Sequence, residues 1–267
     1  MKNKIIINVE KISDIDDYKK VGITTFLFAL KGFCVGYENE FTIDEVNEIK
    51  ESNYLLINRV LDCDAVDSLK ELLNKSTLNI KGIFYEDIAV YQIVKELNLN
   101  IELISFQNHF NSNCGTINFW LDRVDSVLVC NELTKEELEY ITLNANKDVC
   151  LQVYGHNQAM YSRRYLLSNF AKEFNLDKKL KNTLVEKVSG IKFRAIENEF
   201  GTVLYSGNIF NGLDLLKLSN VKYFYINTTF ISHDDVMKVL ENLDGSILDS
   251  DDGFLNKPTI YKLKGDK

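Results

Sequence analysis

The sequence predicts an α/β protein: a TIM-like (β/α)8 barrel over residues 1–244, incomplete or distorted, with a short C-terminal extension over 245–267. Three observations predict it. Short apolar, β-branched runs alternate with amphipathic helical patterns along almost the whole chain, as βα units around a parallel sheet require. Eight such runs occur in 267 residues, a length at which one barrel forms a single unit. There is one proline, Pro258, and no flexible linker, which favours a closed barrel over an open doubly wound sheet.

The first strand is the apolar run Ile5 to Val9; its βα unit, Met1 to Val21, is short, one reason to expect an imperfect barrel. The second, Thr25 to Leu30, leads to a helix start at Thr42-Ile-Asp-Glu45, where a threonine is followed three residues later by an acid that caps it in return. The third, Tyr54 to Asn58, precedes Val66, Leu69, Leu72 and Leu73 at helical spacing. The fourth, Ile80 to Tyr85, is followed by Ile88, Val90, Tyr91, Val94 and Leu97 at the same spacing. Strands five and six fall at Ile101 to Phe106 and Ser126 to Cys130, the latter before a second helix start at Thr134 to Glu137. The seventh is Val149 to Tyr154. From Lys172 to Tyr205 the pattern is irregular, an extra helix or a small excursion over the barrel mouth. The eighth strand, Val221 to Ile226, is weak and leads to a helix start at Ser232 to Asp235. A strand-like run, Thr259 to Leu263, has no place derivable from the pattern.

With 45% hydrophobic and 26% charged residues the chain has the composition of a folded globular protein. No apolar run approaches the ~20 residues of a membrane span, and the N-terminal run has no small-residue cleavage site, so a cytoplasmic protein without membrane contact is expected. The five cysteines are odd in number and at least sixteen residues apart, which indicates buried reduced thiols rather than a disulfide framework or a CxxC site. No glycine-rich dinucleotide or P-loop motif follows any strand. The net charge of −8 opposes unspecific nucleic-acid binding by the molecule as a whole. Between Arg163 and Arg194, however, nine basic residues face three acidic ones, either a solvated surface or a contact for an anionic ligand or RNA.

In a barrel, the residues past the strand C-termini converge on one face. Here nearly every strand ends in a hydrogen-bonding group, among them Glu10, Asn58, Glu86 with Asp87, Gln107 with His109, Glu132, His156 and Asn227. Loops are polar in any case, so each of these also has an ordinary structural reading. Three chemistries are open. His109, Glu132 and His156 have the donors of a two-histidine, one-carboxylate site, but with three histidines and no helical H-x-x-x-H spacing no metal is predicted. Glu86, Asp87 and Glu132 supply an acid and a base if burial separates their pKa values. Cys130 beside Glu132, or Ser162 near His156, is the only hint of a nucleophile with a base.

The segment QVYGHNQAMYSRRYLLSNF, Gln152 to Phe170, resembles the signature of the collagenase-like peptidase family U32, with Gly155, Met160, Tyr161, Ser162, Arg164, Leu166, Leu167 and Ser168 matching it. Phe28 to Val46, Leu55 to Leu73, Ile80 to Val90, Asn111 to Trp120 and Val127 to Leu138 are similar to further family segments in the same order. The resemblance implies the barrel fold. It departs from the family at Gln158 and Tyr165, where cluster-binding members carry cysteine, so no iron–sulfur cluster and no other cofactor is expected. It departs again at Tyr154, where the family has histidine, and at Tyr225 to Thr229, where a Lys-Ile-Glu-Gly-Arg motif stands.

Within the family the chain is most similar to the short firmicute-type members, which act in 5-hydroxyuridine formation in the tRNA anticodon alongside a longer family partner. The resemblance thus implies a tRNA-modification factor, or an accessory subunit, whose partners are tRNA or a small polar ligand and a longer paralogue. In that reading Arg163 and Arg164 contact phosphate, while Asp87, Gln107, Asn113, Glu132 and Ser162 line the barrel mouth, with Asp87, Glu132 and Ser162 as candidate catalytic groups and Asn58 and His156 as further ligand contacts. Two alternatives stay open: a hydrolase of peptides, as the family's name implies, for which the sequence offers no convincing nucleophile or metal site, and a non-catalytic partner of a longer paralogue.

Overall fold

The computed structural model describes residues 2–245 and 248–258. The run Thr259 to Leu263 lies outside them. In chain order the strands are β1 (Ile5–Asn8), β2 (Thr25–Ala29), β3 (Ser52–Ile57), β4 (Gly82–Tyr85), β5 (Glu102–Ser105), β6 (Ser126–Val127), β7 (Val149–Gly155), β8 (Gln158–Ser162), β9 (Lys181–Val185), β10 (Lys192–Asn198), β11 (Gly201–Ser206), β12 (Ile209–Asn211), β13 (Val221–Ile226) and β14 (Ser250–Asp251). The helices are α1 (Ile15–Lys20), α2 (Ile43–Asn47), α3 (Cys63–Lys75), α4 (Ile88–Glu96), α5 (Cys114–Leu121), α6 (Lys135–Asn144), α7 (Leu166–Glu173) and α8 (His233–Asn242).

The fold is mixed α/β around a curled, mainly parallel sheet of ten strands, which fits a TIM-like barrel coarsely. β1 to β6 lie side by side in sequence order, and β13 joins β1 to β7, all parallel. A parallel bridge between Leu128 and Cys150, with the Val129 N–H donating to the Cys150 carbonyl at 2.9 Å, brings the end of β6 against β7. β6 is shorter than the apolar run from Ser126 to Cys130 suggests. Beyond Val127 the loop after β5 takes over its hydrogen bonds, Asn111 donating through Nδ2 to Leu128 and accepting from the Cys130 N–H.

The strands read as continuous apolar runs because both faces are buried. Ile6, Leu27, Tyr54, Leu56, Phe84 and Ile104 share the inner cluster, while their neighbours Ile5, Phe26, Leu55 and Ile83 pack outward with Leu69, Leu73, Val90 and Ile93 of α3 and α4. The capping boxes at Thr42 with Glu45 and Thr134 with Glu137 both form, fixing where α2 and α6 begin. At the strand N-termini a polar network crosses the inside of the curled sheet: the Tyr54 hydroxyl donates to Glu102 at 2.6 Å, Lys81 donates to the Tyr223 hydroxyl at 2.7 Å, and Lys222 pairs with Glu102 at 2.9 Å.

The segment that reads as irregular folds into α7 and a second, antiparallel sheet ordered β8-β11-β10-β9. It lies over the loop that follows β2: the Tyr205 hydroxyl donates to the Gly36 carbonyl at 2.8 Å, and Val203 and Tyr205 pack on Val35. Its β10–β11 hairpin turns at Gly201, whose φ of +133° admits no side chain, since a Cβ there would meet the Ser162 carbonyl oxygen at 2.1 Å. The alternation is hard to read in sequence because β9 is an exposed edge strand with little apolar area to bury.

Candidate functional site

The centre of the face formed by the strand C-termini is filled. Tyr37, Tyr205 and Tyr225 are buried there, the Tyr37 and Tyr225 hydroxyls 3.4 Å apart, and the cavity they share with Phe106, Asn108, Gln152, Gln158 and Asn227 measures about 10 Å³, room for one water at most. The amides around it bond one another and the backbone: Asn227 donates to the His156 carbonyl at 2.9 Å and Gln152 to the Asn157 side-chain oxygen at 2.9 Å.

Two carboxyls at this face are strongly perturbed. Burial pushes Glu86 up to about 8, with the Asn108 amide at 3.1 Å as its side-chain donor. Burial, helped by the Glu38 carboxylate, pushes Glu10 up to about 7; Asn8 and Thr229 donate to one of its oxygens at 3.1 and 3.3 Å. Glu86 is among the carboxyls that the sequence offers as acid or base, whereas Glu10 stands out there only as a strand-end group.

The residues expected to form the site have diverse surroundings. Asp87 caps α4, accepting from the Ala89 N–H at 2.9 Å and from the Leu61 N–H at 3.0 Å. Asn113 likewise caps α5 through the Thr116 N–H at 3.0 Å. Asn58 is buried and clamps the loop after β2, exchanging two 3.0 Å hydrogen bonds with the Val35 backbone. Gln107 donates to the Glu86 carbonyl. Ser162, on β8, accepts from the Arg164 N–H at 3.3 Å. His156 is buried with Nδ1 2.8 Å from the Ser206 carbonyl oxygen, so that nitrogen carries a proton, and burial lowers the pKa of the ring. Arg163 pairs with Asp62 at 3.1 Å, and the exposed Arg164 guanidinium has no partner among the described residues. Asp87, Glu132 and Ser162 share no hydrogen bond or ion pair among the described residues.

Glu132 is the member of that set at an open cavity. A cleft of about 540 Å³ runs between the loops after β5, β6 and β7, the β9–β10 turn and the segment around Phe254. Glu132 and His109 lie on its wall, 3.8 Å apart. The rest of the lining is rich in side-chain amides, Asn108, Asn131, Asn157, Gln158 and Asn208, with Lys192 and Lys257 as cations and Phe254 as an exposed ring. Such a wall suits a planar polar ligand bearing an anionic group: amides offer paired donors and acceptors, lysines neutralise charge and the ring stacks. Signals for it were present in Asn131, Gln158 and Lys192, but their convergence depends on the inserted sheet.

An iron–sulfur cluster does not fit these residues. At the two signature positions Gln158 lines the cleft as an amide and the Tyr165 hydroxyl donates to the Glu199 carbonyl at 2.9 Å, neither a soft sulfur donor. Cys34, Cys130 and Cys150 are buried free thiols, and Cys34 is held protonated by burial. Among the described residues no group of three or more His, Cys, Asp or Glu side chains is arranged to hold a metal ion, and no helix is long and apolar enough to cross a membrane.

The sequence profile of Peptidase family U32 matches residues 37–243. The chain is 23% identical over 274 aligned residues to tRNA hydroxylation protein P2 of Bacillus subtilis (strain 168), covering 91% of this chain and 88% of that protein. Among solved structures it is similar to the spore cortex-lytic enzyme SleL of Bacillus cereus, at 10% identity and a TM-score of 0.45 over 88% of this chain and 73% of that one. It is also similar to the C-terminal domain of a chitinase from Desulfitobacterium hafniense, at 11% identity and a TM-score of 0.44 over 90% and 99% of the two chains.

Proposed function

Because the chain belongs to peptidase family U32, we propose that it is a cytoplasmic tRNA-modification protein of wobble-uridine hydroxylation, a factor or accessory subunit without an iron–sulfur cluster. The observation that carries this reading is the likeness to tRNA hydroxylation protein P2 along 91% of the chain. The basic stretch from Arg163 to Arg194 supports it as a surface for RNA: it runs from the end of β8 through α7 and β9 into β10, and its Lys192 reaches the amide-lined cleft beside Glu132 and His109. In this reading the architecture is a distorted (β/α)8 barrel over 1–244, its ring joined at Leu128 and Cys150, and a C-terminal extension of which Leu255 is buried against the barrel.

The filled barrel mouth favours the accessory form, in which a longer paralogue supplies the chemistry. A peptidase reading has less support, since among the described residues no histidine hydrogen-bonds a serine hydroxyl or a cysteine thiol. The test is the tRNA nucleoside profile of a strain lacking the gene, measured by mass spectrometry against its parent: loss of the hydroxylated wobble uridine is expected, and an unchanged profile overturns the proposal. Arg163→Ala with Arg164→Ala is expected to weaken tRNA binding and to lower its dependence on salt by about 0.7 to 0.9 in log–log slope for each phosphate that is no longer neutralised.

A further inference from the structure

α7 is apolar on two sides, and the sheet uses one of them. Leu167 and Ala171 are buried on the sheet side. Phe170 and Phe174, one turn apart, are 55% and 60% exposed with ring centroids 4.7 Å apart, where a solvated helix would carry polar groups. The surrounding charge is positive and uncommitted. Of the nine basic residues between 163 and 194, Arg163 pairs with Asp62, Lys181 with Glu38, and Arg194 donates to Thr183 at 2.8 Å. The other six, Arg164, Lys172, Lys178, Lys179, Lys187 and Lys192, form no ion pair or side-chain hydrogen bond among the described residues. The acidic residues of the stretch are Glu173, Asp177 and Glu186, the last engaged with Ser189 and the Val188 N–H.

We infer that Phe170 and Phe174 form a stacking platform for unpaired bases of an RNA loop, with the free cations of Arg164, Lys172, Lys178 and Lys179 following its phosphates. The inference rests on the tRNA reading and deepens it, because it selects the loop over the stems. Aromatic faces hold only bases that are not already stacked in a helix, and a chain of net charge −8 that carries these free cations in the same stretch as two bare rings is complementary to a polyanion carrying such bases.

The test compares binding of a transcribed tRNA, a single-stranded oligonucleotide of its anticodon-loop sequence and a fully paired duplex of the same length, by fluorescence anisotropy across a salt series. Phe170→Leu with Phe174→Leu keeps apolar area and removes the π faces. It is expected to lose about tenfold in affinity for tRNA and oligonucleotide with an unchanged salt slope. Phe170→Tyr with Phe174→Tyr keeps the rings and is expected to bind like the wild type. Lys178→Ala with Lys179→Ala is expected to lower the slope by about 0.7 per lysine. Undiminished binding by the leucine variant, an equal loss in the tyrosine variant, or a duplex bound as tightly as the oligonucleotide overturns the platform while leaving the tRNA reading in place. A wild-type chain that binds no tRNA removes both. A wild-type dimer that falls apart on Phe170→Ser with Phe174→Ser assigns the rings to a second copy and overturns the inference.

Discussion

Glu197 is expected to be the anchor of α7, and replacing it tests how the inserted sheet holds that helix. The residue is 3% exposed on β10, and its carboxylate accepts from the Leu167 N–H at 2.7 Å, the Ser168 N–H at 3.1 Å, the Ser168 hydroxyl and the Thr202 hydroxyl at 2.8 Å. These amides are the second and third N–H groups of α7, and the residue before the helix, Tyr165, provides no side-chain cap, so a carboxylate from β10 does a cap's work and meets the positive end of the helix. In Glu197→Gln one oxygen becomes an NH2 group; the two hydroxyls can turn, Thr202 to the Arg164 carbonyl at 2.8 Å, but a backbone N–H of α7 is left facing a donor. An orphaned buried donor costs about 1–3 kcal/mol, so the loss is expected at about 1–3 kcal/mol. Urea denaturation measures the total, and hydrogen exchange of the amides of residues 167–171 shows whether the loss is local to α7. A Glu197→Gln protein within about 0.5 kcal/mol of wild type, with unchanged protection of those amides, refutes the reasoning.

Two further outcomes follow from the mouth of the barrel. Glu10 and Glu86 are raised from 4.5 to about 7 and about 8, so the folded chain binds their protons more tightly than the unfolded chain does; they contribute stability at pH 4.5 that is lost as pH rises through 7 to 8. The unfolding free energy of wild type relative to Glu10→Gln with Glu86→Gln should therefore decline between pH 5 and pH 8, values that bracket those pKa shifts to about a unit, and a difference that rises over that range contradicts the burial argument. Gly155 has φ of +109°, and a Cβ there would stand 2.0 Å from the Asn227 carbonyl oxygen, where β7 and β13 close together. Gly155→Ala is expected to lose at least about 2 kcal/mol in chemical denaturation, and a neutral result would mean that the strand ends relax freely.

Much of the scaffold was legible because its causes are local. β2, β3, β4 and β7 announce themselves as apolar runs since both of their faces are covered, and the boxes at Thr42 and Thr134 need only four consecutive residues to form. The signature from Gln152 to Ser168 was legible too, and its Ser168 proves to bond Glu197 twenty-nine residues away. The site was less legible. Asp87 and Glu86 are adjacent carboxylates of similar chemistry, yet one faces the Leu61 and Ala89 amides and the other is pressed into the interior of the mouth.

By itself, then, the sequence determined the βα alternation, the helix starts, the departure from cysteine at Gln158 and Tyr165, and the positive stretch after Arg163, all of which depend on residue type and short-range spacing. Only the tertiary structure decided that Tyr37, Tyr205 and Tyr225 fill the barrel mouth, that the open cleft lies beside it, and that two rings of α7 face outward among free cations. The physical reason is that a side chain's surroundings are set by contacts between segments far apart in the chain: Tyr205 meets Gly36 across 169 residues, and no periodicity within either segment encodes that meeting.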